Sequence, residues 1–220
     1  MGGCDTISVM IKSQLDPNEA NRLATLKNLK LNLTLNEERF NRITRIASEL
    51  FDSKIVALNL ITKDRLVIKA CVGVEQGGET DRDASVCTYT ILQPKPFIVE
   101  DLQADERFRY LPSVTGPLHL RAYLGMALTA VDGSHPGSLC VMHTEPRTYS
   151  SRDISLIKDL VDWANLELNS HELRAAMEQR RQDQAELKKQ LDQVQEMNAM
   201  MVDRELKMVE LKEELAKYKA

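Results

Sequence analysis

Between Arg147 and Ala220 the chain has no glycine and no proline, so nothing in that stretch interrupts a helix. No apolar run approaches the roughly 18 residues of a membrane span, and the opening "MGGCDTISVMIKSQLD" lacks the apolar block of a secretory signal. A soluble, cytoplasmic protein is the expectation. Positive charge is not in excess either: 29 Lys and Arg stand against 33 Asp and Glu, for a formal net charge of -4. Without a basic field, nucleic acid is not an expected partner. The four cysteines, Cys4, Cys71, Cys87 and Cys140, form no C-x-x-C pair, and the histidines at 119, 135, 143 and 171 have no ligand spacing. Reduced thiols, no metal site and no identifiable cofactor follow. A Gly-rich phosphate loop is also missing.

What is present falls into three stretches. Residues 1–15 carry no pattern and read as a disordered segment, in which Met1, Gly2 and Thr6 have myristoylation spacing and Cys4 stands where a second acyl chain would go. Membrane contact is expected only if that terminus is lipidated. From Asp16, "DPNEANRLATLKNLKLN" has an acid at an N-cap position, proline at the first helical position and Glu19 at the third, ahead of the stripe Leu23, Leu26, Leu29 and Leu33. Thr34 and Glu37 have capping-box spacing before a second amphipathic stretch with Phe40, Ile43, Ala47 and Leu50 on one face. The pattern then becomes extended in "KIVALNLIT", "RLVIKACVG", "PFIVED", "RAYLGMALTAVDG" and "GSLCVMHT", each bounded by Asp, Gly or Pro. The "KD" between the first two predicts an antiparallel hairpin. The connection "EQGGETDRDASVCTYTILQPK" has room for a loop and a short helix, and a second long connection runs from Leu102 to Leu120. These features predict an α+β domain over residues 16–169, with a largely antiparallel sheet, helices on one side and long binding loops on the other.

Ser150 and Asp153 mark the start of a final helix that carries residues 170–220 beyond the domain. Steps of four and three from Leu166 reach Ser170, Leu173, Met177, Arg180, Gln184, Leu187, Leu191 and Val194. A second register, displaced by one position, takes in Met197, Met201, Arg204, Met208, Leu211, Leu215 and Tyr218. This heptad seam predicts a coiled coil whose simplest partner is a second copy, as a parallel dimer, with a trimer or an antiparallel pair as alternatives. Leu173, Met177, Leu187, Leu191, Val194, Met201, Met208, Leu211 and Leu215 are its expected contacts. His171 in "HELR" matches the letters around a kinase phosphoacceptor, but "AAMEQRR" follows in place of the usual proline and only about 46 residues remain for an ATP-binding domain. It is read as one more helical residue.

The blocks "ERFNRITRIASELFDSKIVALNLI", "SVCTYTILQPKPFIVEDLQADERF", "VTGPLHLRAYLGMAL" and "GSLCVMHTEPRTYSSRDISLIKDL" resemble, in order and spacing, the GAF domains of bacterial sensor histidine kinases and nucleotide cyclases. The resemblance implies a sheet of about six antiparallel strands, the terminal helices packed on one face and a small-molecule pocket on the other. It also implies a sensory or regulatory module with no catalytic residues, placed in a two-component pathway or beside a signalling kinase or cyclase. "VDRELKMVELKEELAKYKA" resembles the linkers that join such modules to output domains. Val86 and Tyr89 stand where this subgroup has phenylalanine and histidine, Ala127 where it has proline and His143 where it has aspartate.

Ligand-binding candidates are Cys87, Tyr89, Asp101, Arg107, His119, Arg121 and Tyr123. The resemblance places Cys87 and Tyr89 on the helix that roofs the pocket. Cys87 is either a small core residue or a reactive thiol. Thr88 stands where a bilin-binding relative has histidine, and the spacing of Cys71, Cys87 and Cys140 does not match the methionine-sulfoxide-reducing relatives. In "VEDLQADERF", Asp105 would cap a short helix whose Arg107 pairs back to Asp101; the alternative is that Arg107 or Arg121 offers its planar fork to an anionic ligand. His119, Arg121 and Tyr123 alternate and would share one side of a strand. Two other functions compete with sensing: a ligand-free dimerisation scaffold on the same fold, and a redox sensor or enzyme using Cys87.

Overall fold

The computed structural model describes residues 15–29, 31 and 37–218. The segment expected to be disordered, with its acylation signature, lies outside the described residues apart from Leu15, and so does Thr34. The chain divides into two units between Ser170 and His171.

The first unit is organised by a six-stranded, wholly antiparallel sheet of β1 (Ile55–Ile61), β2 (Arg65–Val72), β3 (Glu79–Asp81), β4 (Phe97–Val99), β5 (Ala122–Leu128) and β6 (Gly137–His143), in the order β3-β2-β1-β6-β5-β4. The β1–β2 hairpin closes as the "KD" pair predicts, with Lys63 and Asp64 at the tip and the Thr62 N–H donating to the Arg65 carbonyl at 2.8 Å. Strand β3 gave no signal in the sequence because Glu-Thr-Asp has no apolar residue; as an edge strand it needs only the ladder to β2.

Helices α1 (Glu19–Asn28) and α2 (Glu38–Phe51) and the first turns of α5 (Ser151–Tyr218) cover one face. Phe40, Ile43, Ala47 and Phe51 of α2 meet Ile157, Leu160, Val161 and Ala164 of α5 over Val56, Leu58, Leu139 and Val141 of the central strands. Both early helix starts differ from expectation. Asn18, not Asp16, is the N-cap of α1, because Asp16 spends its carboxylate on the Asn18 N–H at 2.7 Å in a turn that precedes the helix. Glu37 is the N-cap of α2 and makes no capping bond; its carboxylate reaches the fully buried Lys69 ammonium at 2.6 Å and Arg39 at 2.7 Å. The start of α5 is as read: the Ser150 N–H donates to the Asp153 carboxylate at 2.7 Å and the Asp153 N–H donates back to Ser150 Oγ at 3.2 Å.

Buried charges on the helical side are paired. Arg22 is fully buried, holds Glu19 at 2.7 Å and donates to the Ile61 carbonyl at 2.6 Å, and Arg82 joins the same carboxylate from the start of the loop after β3. Burial alone would raise the Glu19 pKa, but the two guanidiniums bring it down to about 2.

In the second unit, α5 continues to Tyr218. Leu173, Met177, Leu187, Leu191, Val194, Met201, Met208 and Leu211 are between 43% and 73% exposed on the single chain. The side chains of His171 and Leu215 lie outside the described residues. No described helix is long and apolar enough to cross a membrane.

Candidate functional site

The other face of the sheet carries loops and two one-turn helices, α3 (Cys87–Thr90) and α4 (Pro112–Thr115). Strand alternation sends Ala57 and Asn59 of β1, Ser138 and Cys140 of β6 and Tyr123 of β5 to this side. Between them and α3 lies a cavity of about 100 Å³ lined by Ala57, Asn59, Leu66, Cys87, Leu118 and Tyr123 among others.

At its floor two thiols meet. Cys87 Sγ lies 3.7 Å from Cys140 Sγ, although 53 positions separate them in the chain. The Asn59 amide donates to both sulfurs, at 3.3 and 3.5 Å, and the Tyr123 hydroxyl donates to Cys87 Sγ at 3.4 Å. Thr90 Oγ1 lies 2.7 Å from the same hydroxyl and completes the chain of contacts. Gly125 makes this possible. A Cβ there would run into the Tyr123 hydroxyl and ring, so glycine lets the phenol lie along the sheet and reach α3. The hydrogen bond shared with Cys140 lowers the Cys87 pKa against the opposing effect of burial, with Tyr123 adding to the lowering; Cys140 is raised by the same sharing and by its burial. Of the pair, Cys87 is the one whose charged form its neighbours favour, while the Cys140 S–H donates to the Ala57 carbonyl at 3.4 Å. Asn59 Oδ1 is buried beside the pair with no hydrogen-bond partner among the described residues, and the Ser138 hydroxyl adds to the lowering at Cys87.

Of the candidates named from the sequence, only Cys87 and Tyr123 line this cavity. Tyr89 faces Phe108, edge-on at 5.0 Å, and stacks on Phe97 at 6.5 Å, with the Arg107 guanidinium 4.7 Å from the Phe108 ring. The expected pairing of Arg107 with Asp101 is not what forms. Arg107 binds Asp105 at 2.7 Å, while Asp101 takes Arg121 in a two-point pair at 2.9 and 2.8 Å. Sequence proximity misled here: Asp105 caps the Arg107 N–H at 2.9 Å, which brings the two side chains together, and the strand edge delivers Arg121 to Asp101. His119, Arg121 and Tyr123 do not share a side either. His119 sits in a left-handed turn at φ 44° and is exposed, and β5 begins only at Ala122, so the alternation does not reach back to it. Asn59, Thr90, Gly125, Ser138 and Cys140 were missed. A visible signal existed for Asn59: one amide in the middle of the otherwise apolar strand "IVALNLI".

The GAF domain family model matches residues 36–168, which is more than half of the chain. The chain belongs to the GAF domain family. Among curated proteins, a cyclic di-GMP phosphodiesterase of Pseudomonas aeruginosa is 33% identical over 123 residues, or 56% of this chain, which spans about one fifth (21%) of that relative's length. Among solved structures, the blue-light absorbing form of the PixJ GAF domain from Thermosynechococcus elongatus aligns with a TM-score of 0.53 at 19% identity, covering 71% of this chain and 95% of that one. A free methionine-R-sulfoxide reductase from Neisseria meningitidis in complex with its substrate aligns with a TM-score of 0.50 at 16% identity, covering 70% and 92%. These two likenesses establish the GAF fold, and the family membership supports a sensory or regulatory role.

Proposed function

We propose that this GAF protein is a non-catalytic cytoplasmic sensor: a cue received between the loop face of the sheet and α3 alters strand packing, and α5, paired with a second copy of the chain, carries the change to a kinase or cyclase partner. The observation that carries this reading is the shared sheet. Ala57 and Asn59 line the cavity and Cys140 lies beneath it, while their neighbours Val56, Leu58, Leu139 and Val141 pack in one cluster with Ile157, Leu160, Val161 and Ala164 of α5, so any shift of the central strands is felt by the helix. The exposed heptad stripe from Leu173 to Leu211 supports pairing, since a helix so sparsely apolar gains burial only against another helix. A ligand acts in this scheme only by preferring one of two packings.

Sedimentation of the full-length protein tests the relay. A dimer at low micromolar concentration that becomes monomeric in the double substitution Leu187→Asp and Leu191→Asp supports it; a monomeric wild type sinks it. The scaffold reading draws on the cavity size, since about 100 Å³ is well under the roughly 300 Å³ at which drug-sized ligand pockets begin. Native mass spectrometry of protein from its own host separates the two, because a scaffold retains no small molecule.

A further inference from the structure

We propose that Cys87 and Cys140 form a peroxide-responsive dithiol, with Cys87 as the attacking sulfur and Cys140 as the resolving one. The geometry assigns the roles. Cys87 lines the cavity, which has room for a molecule as small as hydrogen peroxide, whereas Cys140 lies beneath it, fully buried in the centre of β6 and 3.7 Å from its partner sulfur. Both sulfurs accept hydrogen bonds from Asn59, and Cys87 accepts a further one from Tyr123, so the donors that stabilise a thiolate converge on the member of the pair that lines the cavity. No role in the helical core or in tail pairing accounts for this arrangement.

The steps balance. The Cys87 thiolate attacks one peroxide oxygen, the O–O bond breaks, and Cys87 becomes a sulfenic acid as hydroxide leaves. The hydroxide takes the Cys140 proton, and the Cys140 thiolate then attacks Cys87 Sγ and displaces the second oxygen, which leaves as water once it takes up the proton first lost by Cys87. Two thiols and one peroxide thus give one disulfide and two waters.

Closing the bond draws the sulfurs from 3.7 Å to about 2.05 Å. Cys140 is held in β6 by ladders to both β1 and β5, so the one-turn helix α3 makes the movement and settles onto the sheet at the expense of the cavity. Tyr89 travels with α3 and disturbs its packing on Phe97 and Phe108. Transmission of that movement to α5 rests on the sensory reading above; the sulfur chemistry does not.

The test uses the full chain, reduced and then exposed under native conditions to a small excess of hydrogen peroxide before alkylation and peptide mass spectrometry. The expected result is a peptide pair joined through Cys87 and Cys140, reversed by dithiothreitol, with Cys71 still alkylated. In Cys140→Ala a dimedone adduct at Cys87 replaces the joined pair. Failure of the wild type to form the Cys87–Cys140 link, or oxidation confined to Cys71, overturns the proposal, and the wild-type result decides even if the variant does not fold. A disulfide that forms while the hydrogen exchange of α5 stays unchanged supports the dithiol and counts against the sensory relay, which keeps the two failures apart.

Discussion

The two faces of the sheet solve opposite problems. On the helical face, the cluster from Phe40 to Val161 is aliphatic and aromatic, and the charges that reach inside, Arg22 and Lys69, are met by Glu19 and Glu37. On the loop face the centre of the same strands carries the Asn59 amide, the Ser138 hydroxyl and the Cys140 thiol, and α3 sets a second thiol, Cys87, against them. The polar groups of the loop face converge on the two sulfurs, whereas those of the helical face end in ion pairs. The difference teaches that this sheet has a structural side and a chemical side, and that alternation along β1 and β6 keeps them apart one residue at a time.

Three substitutions sharpen or break that contrast. Phe40→Ala, at a fully buried ring, should cost about 3–5 kcal/mol in urea denaturation and leave Cys87 reactivity unchanged in the surviving folded protein. A loss below 1 kcal/mol would remove the structural role assigned to the helical face. Glu19→Gln strips the buried Arg22 of its counter-charge and should cost about 3 kcal/mol at neutral pH. Because the Glu19 pKa is depressed to about 2, its contribution is complete above the ordinary carboxylate value of 4.5 and fades as the pH falls through 2. Acid titration of both proteins should therefore show their stabilities converging between those limits; a gap that stays constant would deny the ion cluster its role. Gly125→Ala forces Tyr123 off the sheet and should cost about 1–3 kcal/mol, falling to well under that in a Tyr123→Val background. If the two changes simply add, the phenol is not held in place through Gly125.

The sequence made some of this legible and hid the rest for identifiable reasons. Strands β1, β2, β5 and β6 could be read because apolar runs bounded by Gly, Pro and Asp are local signals, and the α5 start because its capping box lies within four residues. Strand β3 was invisible, since three polar residues on a sheet edge owe their conformation to β2 alone. Tyr123 and Cys87 were named as site residues, yet the pairing Arg107–Asp101 and the cluster His119–Arg121–Tyr123 were extrapolated from neighbours in the chain, and Asp105 and the turn at His119 took those partners elsewhere.

By itself the sequence determined the class of fold, the one-sided helical packing and the uninterrupted helix from Ser151, because each follows from periodicity and from residues that permit or forbid a backbone conformation. Only the tertiary structure decided that Cys87 meets Cys140, with Asn59 and Tyr123 donating to the sulfurs. That meeting depends on β6 inserting between β1 and β5 and on α3 folding back over them, a matter of strand order and register that no local pattern encodes.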